Sequence, residues 1–139
     1  MAIAKWSLPG TRTSNQAGTA LNSLATGSAS GLITYSNFED RDLYAAVTIK
    51  LGSITPTTGG SVTLRVYASD GIDAPDANGG AFDSYVAALA PGAGAKVVIF
   101  PLVRLYPFSL RLQFVNNSGV TTAASGNELY VTPFNEDVS

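Results

Sequence analysis

The sequence predicts an all-β domain, an antiparallel β-sandwich or jelly roll of about eight strands with an extended N-terminal arm. Three observations predict it. Apolar and polar residues alternate with a period of two through residues 43–51, 61–68 and 108–115, the mark of strands with one buried face. Gly, Pro, Asn and Asp clusters punctuate the chain about every ten residues. No stretch of about ten or more residues carries the 3.6-residue period of an amphipathic helix.

Each element follows in order. Residues 1–30 read as an arm and residues 31–139 as the sandwich domain. In the arm, residues 4–6 suit a short strand anchored by Trp6, the only tryptophan. From Thr11 to Gly31, fifteen of twenty-one residues are Ala, Gly, Ser or Thr, which bury little surface. Among the six others Leu21 and Leu24 are the apolar residues, and their spacing suits one face of a single helical turn. Such a segment is either a flexible terminus or ordered only where another surface supplies contacts, along its own sandwich or on another molecule, and intermolecular contacts with Trp6 as anchor are the expectation.

Residues 31–36 suit a strand closed by Asn37, and residues 38–42 a charged loop. Leu43, Ala45, Val47, Ile49 and Leu51 face one way, and Tyr44, Ala46, Thr48 and Lys50 the other. Residues 61–68 repeat the pattern with Val62, Leu64 and Val66 inward. A meander is expected to join the two. A Gly/Asp/Pro loop over 69–80 leads to a weaker strand over 82–89. The β-branched run 96–100 reads as a strand buried on both faces or central in a sheet. Pro101 and Pro107 bracket a segment suited to an edge or a crossing. Residues 108–115 and 128–132 are expected to pair as an antiparallel hairpin closing a sheet. Val47, Ile49, Val62, Leu64, Val66, Val98, Leu110, Leu112 and Phe114 form the expected core.

Composition narrows function by exclusion. The 139 residues suit one domain and a core that needs no staples. Neither cysteine nor histidine occurs, so disulfides, thiolate sites, histidine-ligated zinc and Ser-His-Asp triads are impossible within one chain. Eight Lys and Arg against ten Asp and Glu leave no basic stripe for nucleic acid. No window approaches a membrane span, and the first residues lack the apolar run of a secretion signal. Charged residues are 13% of the chain, about half the usual quarter, and a surface so poor in charge favours burial against another protein.

Few side chains offer chemistry. Asp70, Asp73 and Asp76 place three carboxylates in one loop, a set that suits either calcium or a plain turn. Their every-third-residue spacing is not that of a helix–loop–helix calcium site. Glu39, Asp40 and Asp42 surround Arg41 as a solvated turn does, with no carboxylate across a cleft for glycoside hydrolysis. Gly59-Gly60 and Gly79-Gly80 lack the Lys-Ser/Thr of a phosphate loop. No catalytic residue, cofactor or metal site is therefore expected. Tyr44, Tyr67 and Tyr130 are expected on outward strand faces, where aromatics stack on sugars or anchor protein contacts. With Trp6, Leu21 and Leu24 they are the candidate interface.

The segments SVTLRVYASDG, YPFSLRLQFVNNSG and ELYVTPFNED, behind a Ser/Thr/Ala/Gly-rich start, resemble small virion structural proteins of tailed bacteriophages, and among them the capsid decoration (cement) proteins. The resemblance covers about residues 43–134 and carries no diagnostic motif. It implies a non-enzymatic β-sandwich that binds the outside of a phage head as a homotrimer and stabilises capsomer contacts. Its partners would be the major capsid protein and copies of itself. Its place would be the virion, after synthesis in the host cytoplasm. Two alternatives stand beside it: a carbohydrate-binding jelly roll of a fibre or tail tip, using Tyr44, Tyr67 or Trp6 as platform, and another head–tail component.

Overall fold

The computed structural model describes residues 4–37, 39–70, 72, 73, 75, 76, 80, 81 and 83–138. Its strands are β1 (Ala4–Trp6), β2 (Ile33–Ser36), β3 (Tyr44–Ile54), β4 (Ser61–Ala68), β5 (Asp83–Ala88), β6 (Gly94–Arg104), β7 (Ser109–Asn117), β8 (Glu128–Phe134) and β9 (Glu136–Val138). There is no helix among the described residues, so none is long and apolar enough to cross a membrane. The strands form a four-stranded sheet in the order β2-β7-β4-β5, a three-stranded sheet β6-β3-β8, and a ribbon β1-β9. All pairings are antiparallel.

The two larger sheets are the layers of a sandwich, and alternation decides which side chains lie between them. Ala45, Val47, Ile49 and Leu51 of β3 meet Val62, Leu64 and Val66 of β4 and Leu110, Leu112 and Phe114 of β7 in one apolar cluster. Leu129 and Val131 of β8 and Val98, Phe100 and Val103 of β6 complete it. All nine residues expected in the core are buried.

Three expectations about pairing are corrected. β3 and β4 are no meander: β3 is central in the three-stranded sheet and β4 lies in the other layer. β7 and β8 are no hairpin either, because residues 118–127 carry the chain across the sandwich. Buried amides bind that crossing. Asn116 donates through Nδ2 to the carbonyls of Leu24 (2.8 Å) and Val120 (2.7 Å), and Asn127 to the carbonyl of Ala123 (2.8 Å). The crossing lies so close to β3 that a Cβ on Gly52 would collide with the Ser125 carbonyl oxygen and the Ala123 methyl. Third, β6 is an end strand with one solvated face. Pro101 and Leu102 stand opposite the single residue Ala46 as a bulge, and proline is tolerated there because it has no ladder donor to lose.

The arm lies along its own sandwich. Residues 7–16 run antiparallel to the free edge of β8. The N–H groups of Ser7, Gly10, Thr13 and Gln16 donate to the carbonyls of Asn135, Pro133, Val131 and Leu129 at 2.7–2.9 Å. Three strap residues pass for every two of β8, so this is not a β-ladder, and side chains supply the missing acceptors. The N–H of Asn135 donates to Ser7 Oγ (2.9 Å), that of Val131 to Thr13 Oγ1 (3.0 Å), and that of Leu129 to Asn15 Oδ1 (3.0 Å). The fourth position is Pro133, which has no N–H.

The chain then crosses to the other layer. Leu21 is 0% exposed in the shared core, and Thr122 Oγ1 donates to its carbonyl (2.6 Å) while accepting from Leu24 N–H (2.8 Å). Residues 27–30 extend β2 along β7: Gly27 N–H donates to Asn116, Asn116 N–H to Ser28, and Ser30 N–H to Phe114. The small polar composition of the arm therefore reflects edge-capping. Leu21 fills a core position, so it is no surface contact.

Leu21→Ala is expected to destabilise the chain by about 2–5 kcal/mol, the usual range for a fully buried leucine. Urea titration followed by circular dichroism measures this. A loose arm would give a change near zero.

Candidate functional surface

The backbone edges of the sandwich are treated unequally. The outer edge of β8 is closed by the strap, and residues 27–30 continue the pairing of β7 beyond β2. On the opposite side β5 and β6 are the end strands of their sheets, and a seam lies between them. Tyr85 of β5 spans it: its ring lies 6.3 Å from that of Phe100, and its hydroxyl accepts the backbone N–H of Arg104 (3.3 Å). Burial raises the Tyr85 pKa. Beside this bridge lies a cleft of about 350 Å³ lined by Val86, Ala87, Ile99, Pro101 and Leu102 with the two rings. Val86 is 68%, Val97 60%, Ile99 56% and Leu102 49% exposed. Four large aliphatic side chains thus stand in water along one seam, and contiguous apolar surface of this kind marks contact sites.

Register extends the surface across the outer face of the three-stranded sheet. Thr48 lies between Ile99 of β6 and Tyr130 of β8, Lys50 between Val97 and Glu128, and Tyr44 between Arg104 and Phe134. The face therefore grades from aliphatic at β6 to aromatic at β8. Tyr44 and Phe134 stack with centroids 5.6 Å apart, and Trp6 of β1 meets both edge-on at 5.6 and 5.5 Å. Tyr44 Oη donates to Glu136 Oε1 (3.2 Å). Trp6 remains 58% exposed beside a hollow of about 370 Å³ that it lines with Ala4, Lys5 and Glu136.

Of the expected interface residues, the fold brings Trp6 and Tyr44 together and places Tyr130 on the same face. Tyr130 is partly covered: the Arg12 guanidinium of the strap lies 3.4 Å above its ring. Its hydroxyl donates to Glu128 Oε2, and that hydrogen bond raises its pKa. Leu24 is half-buried against the core. Tyr67 requires correction. It points away from the core as alternation requires, yet it is 1% exposed, with its hydroxyl donating to Gln113 Oε1 (2.9 Å). Gln113 donates in turn to the Ser30 carbonyl (3.0 Å), which ties Tyr67 through Gln113 to the segment that extends β2.

One carboxylate of each acidic cluster, Asp70 and Asp42, is held by hydrogen bonds within the protein. Asp70 Oδ1 accepts the N–H groups of Ile72 (2.8 Å) and Asp73 (2.7 Å), which closes a turn and lowers its pKa. Asp42 accepts from Asn135 Nδ2 (2.8 Å), and its own N–H donates to the buried Asn37 (2.9 Å). Among the described residues no group of three or more carboxylates could hold a metal ion.

Sequence reasoning missed the seam because 96–100 looked like a strand buried on both faces. The signal was Pro101, which belongs to an edge, and beside an edge every second residue of such a run faces solvent.

Because the folded pKa of Tyr130 is raised, its hydrogen bond to Glu128 contributes fully below the unfolded value near pH 10 and is lost as pH rises through the folded value. The melting temperature of the wild-type chain is expected to exceed that of Tyr130→Phe at about pH 8 and to converge with it above about pH 10. Paired thermal melts across that range check it. A gap independent of pH would show that the hydroxyl does not contribute.

No protein-family model and no curated protein matches the chain.

Proposed function

We propose that this protein is a non-catalytic structural component of a tailed-phage virion, a capsid decoration protein that binds the outside of the head as a homotrimer and stabilises capsomer contacts. The observation that carries this reading is the seam. A chain that meets the backbone groups along the outer edge of β8 leaves four large aliphatic residues exposed on the other side of the sandwich. A surface of that kind is stabilised by being covered, and its nearly uncharged character suits a permanent protein contact. The resemblance to decoration proteins supports the more specific assignment, with the major capsid protein and copies of this chain as partners. We also infer a jelly roll in which the strap replaces the first strand. The order strap-β8-β3-β6 over β2-β7-β4-β5, with successive segments changing sheet at every step but β4 to β5, supports it.

Ile99→Asp tests the contact. A substitution at a half-exposed position changes stability little. The variant is therefore expected to fold with a near-wild-type melting temperature and yet fail to occupy phage heads, read by electron microscopy of particles assembled with each chain. Normal occupancy by Ile99→Asp would reject the seam as the contact.

One observation favours a second reading. The exposed Trp6 indole, flanked by Lys5 and Glu136 at the hollow, has the chemistry of a saccharide platform, with a C–H face on the ring and hydroxyls on the charged groups. A glycan array probed with wild type and Trp6→Ala separates the two readings. Binding that depends on Trp6 supports the saccharide platform, and its absence from every glycan leaves the structural role.

A further inference from the structure

We propose that the outer edge of β8 is a docking site for residues 4–16 of a second copy of this chain, so that copies are linked by exchange of the strap. The site is defined by the occupant it already has. Four carbonyls and three N–H groups of β8 and Asn135 are each met by one group of residues 7–16, and the one strand position that lacks a donor is Pro133. These contacts are all local to the strap and the strand. An identical strap from another molecule makes the same set, which is why exchange is a low-cost route between identical chains.

The strap is built to leave. From Lys5 to Asn15 its residues are exposed or only half-buried, so hydrogen bonds, the β1–β9 pairing, the contacts of Trp6 with Tyr44 and Phe134 and the stacking of Arg12 on Tyr130 hold it. Burial begins at Ala17, and Leu21 is the first side chain fully inside the core. The two regimes meet at a turn. Asn15 Oδ1 accepts Ala17 N–H (3.0 Å), and Gly18 follows with φ +56° in open space. A change of backbone angles at 16–18 redirects residues 4–16 as a unit and leaves the Leu21 plug in place. The β8 edge so vacated presents unpaired backbone groups, which capture an extended segment. In solution the chain's own strap wins, because its tether gives it an effective concentration near the millimolar range. In an assembly that packs copies side by side, a neighbour's strap competes on similar terms.

Two full-length variants test this. Thr13→Pro removes both the N–H and the hydroxyl that meet Val131, so the edge is left open. A fluorescein-labelled synthetic peptide of residues 4–16 is expected to bind it saturably, about tenfold or more tighter than it binds the wild-type chain, where it competes with the tethered strap. The same peptide with proline at position 13 should not bind. Asn15→Ala, which removes the acceptor of both the Leu129 and the Ala17 N–H groups, replaces Thr13→Pro if that variant does not fold. A folded variant that ignores the peptide overturns the site. Gly18→Pro cannot adopt positive φ, so the strap is prevented from turning back on its own β8. That chain is expected to sediment as a dimer or larger closed assembly at about 0.1 mM. A folded Gly18→Pro chain that sediments only as a monomer overturns the exchange.

Discussion

The structure depends on one constraint: the backbone groups along the outside of β8 need partners. A strand beside only one neighbour presents half its N–H and C=O groups to solvent, where they are free to pair with any other strand. This protein meets the constraint without a further strand. The strap passes β8 in a three-to-two pitch and places a main-chain donor at every carbonyl and a Ser, Thr or Asn oxygen at every N–H. The remaining order follows from it. The crossing at Leu21 ties the two layers together, and residues 27–30 complete the edge of β7 beyond the end of β2.

The two sides of the sandwich therefore carry different surfaces. One is hydrogen-bonded, polar and closed. The other exposes Val86, Val97, Ile99 and Leu102, and its β6 edge is interrupted by Pro101 and a bulge. That interruption matters for the kind of contact the seam makes. A proline and a bulge spoil the ladder a second strand would need, so a partner meets side-chain faces here rather than adding a strand.

Alternation made the core legible. In strands such as β3 and β4 the inward residues are apolar without exception, and a period of two leaves no doubt about the face. Pairing was not legible, because the same alternation suits a hairpin and a crossing between layers. What decided between them at β7 and β8 was Asn116, Thr122 and Asn127, whose side chains turn inward to satisfy a loop. Nothing in an Asn or Thr on paper says which carbonyl it will meet. Tyr67 shows the same limit. Its outward direction followed from its place in β4, but its burial depends on Gln113 and Ser30, which lie 46 and 37 residues away. The arm hid its role because its main-chain donors Ser7, Gly10, Thr13 and Gln16 recur every third residue, which matches neither strand nor helix.

The direction of the strap has a mechanical consequence. It runs antiparallel to β8, and the β1–β9 ribbon lies on the N-terminal side of its Ser7–Asn135 rung. Tension drawing the N-terminus away from the body loads the β1–β9 pairs and the Trp6 ring contacts first, then Ser7–Asn135, then Gly10–Pro133, then Thr13–Val131, then Gln16–Leu129. The rungs yield in sequence, as in unzipping, so peeling needs little force at any moment. The load then reaches Leu21, where a core side chain must be extracted and the resistance rises sharply. The same chain is thus compliant over residues 4–16 and stiff beyond them, a tether with a built-in stop.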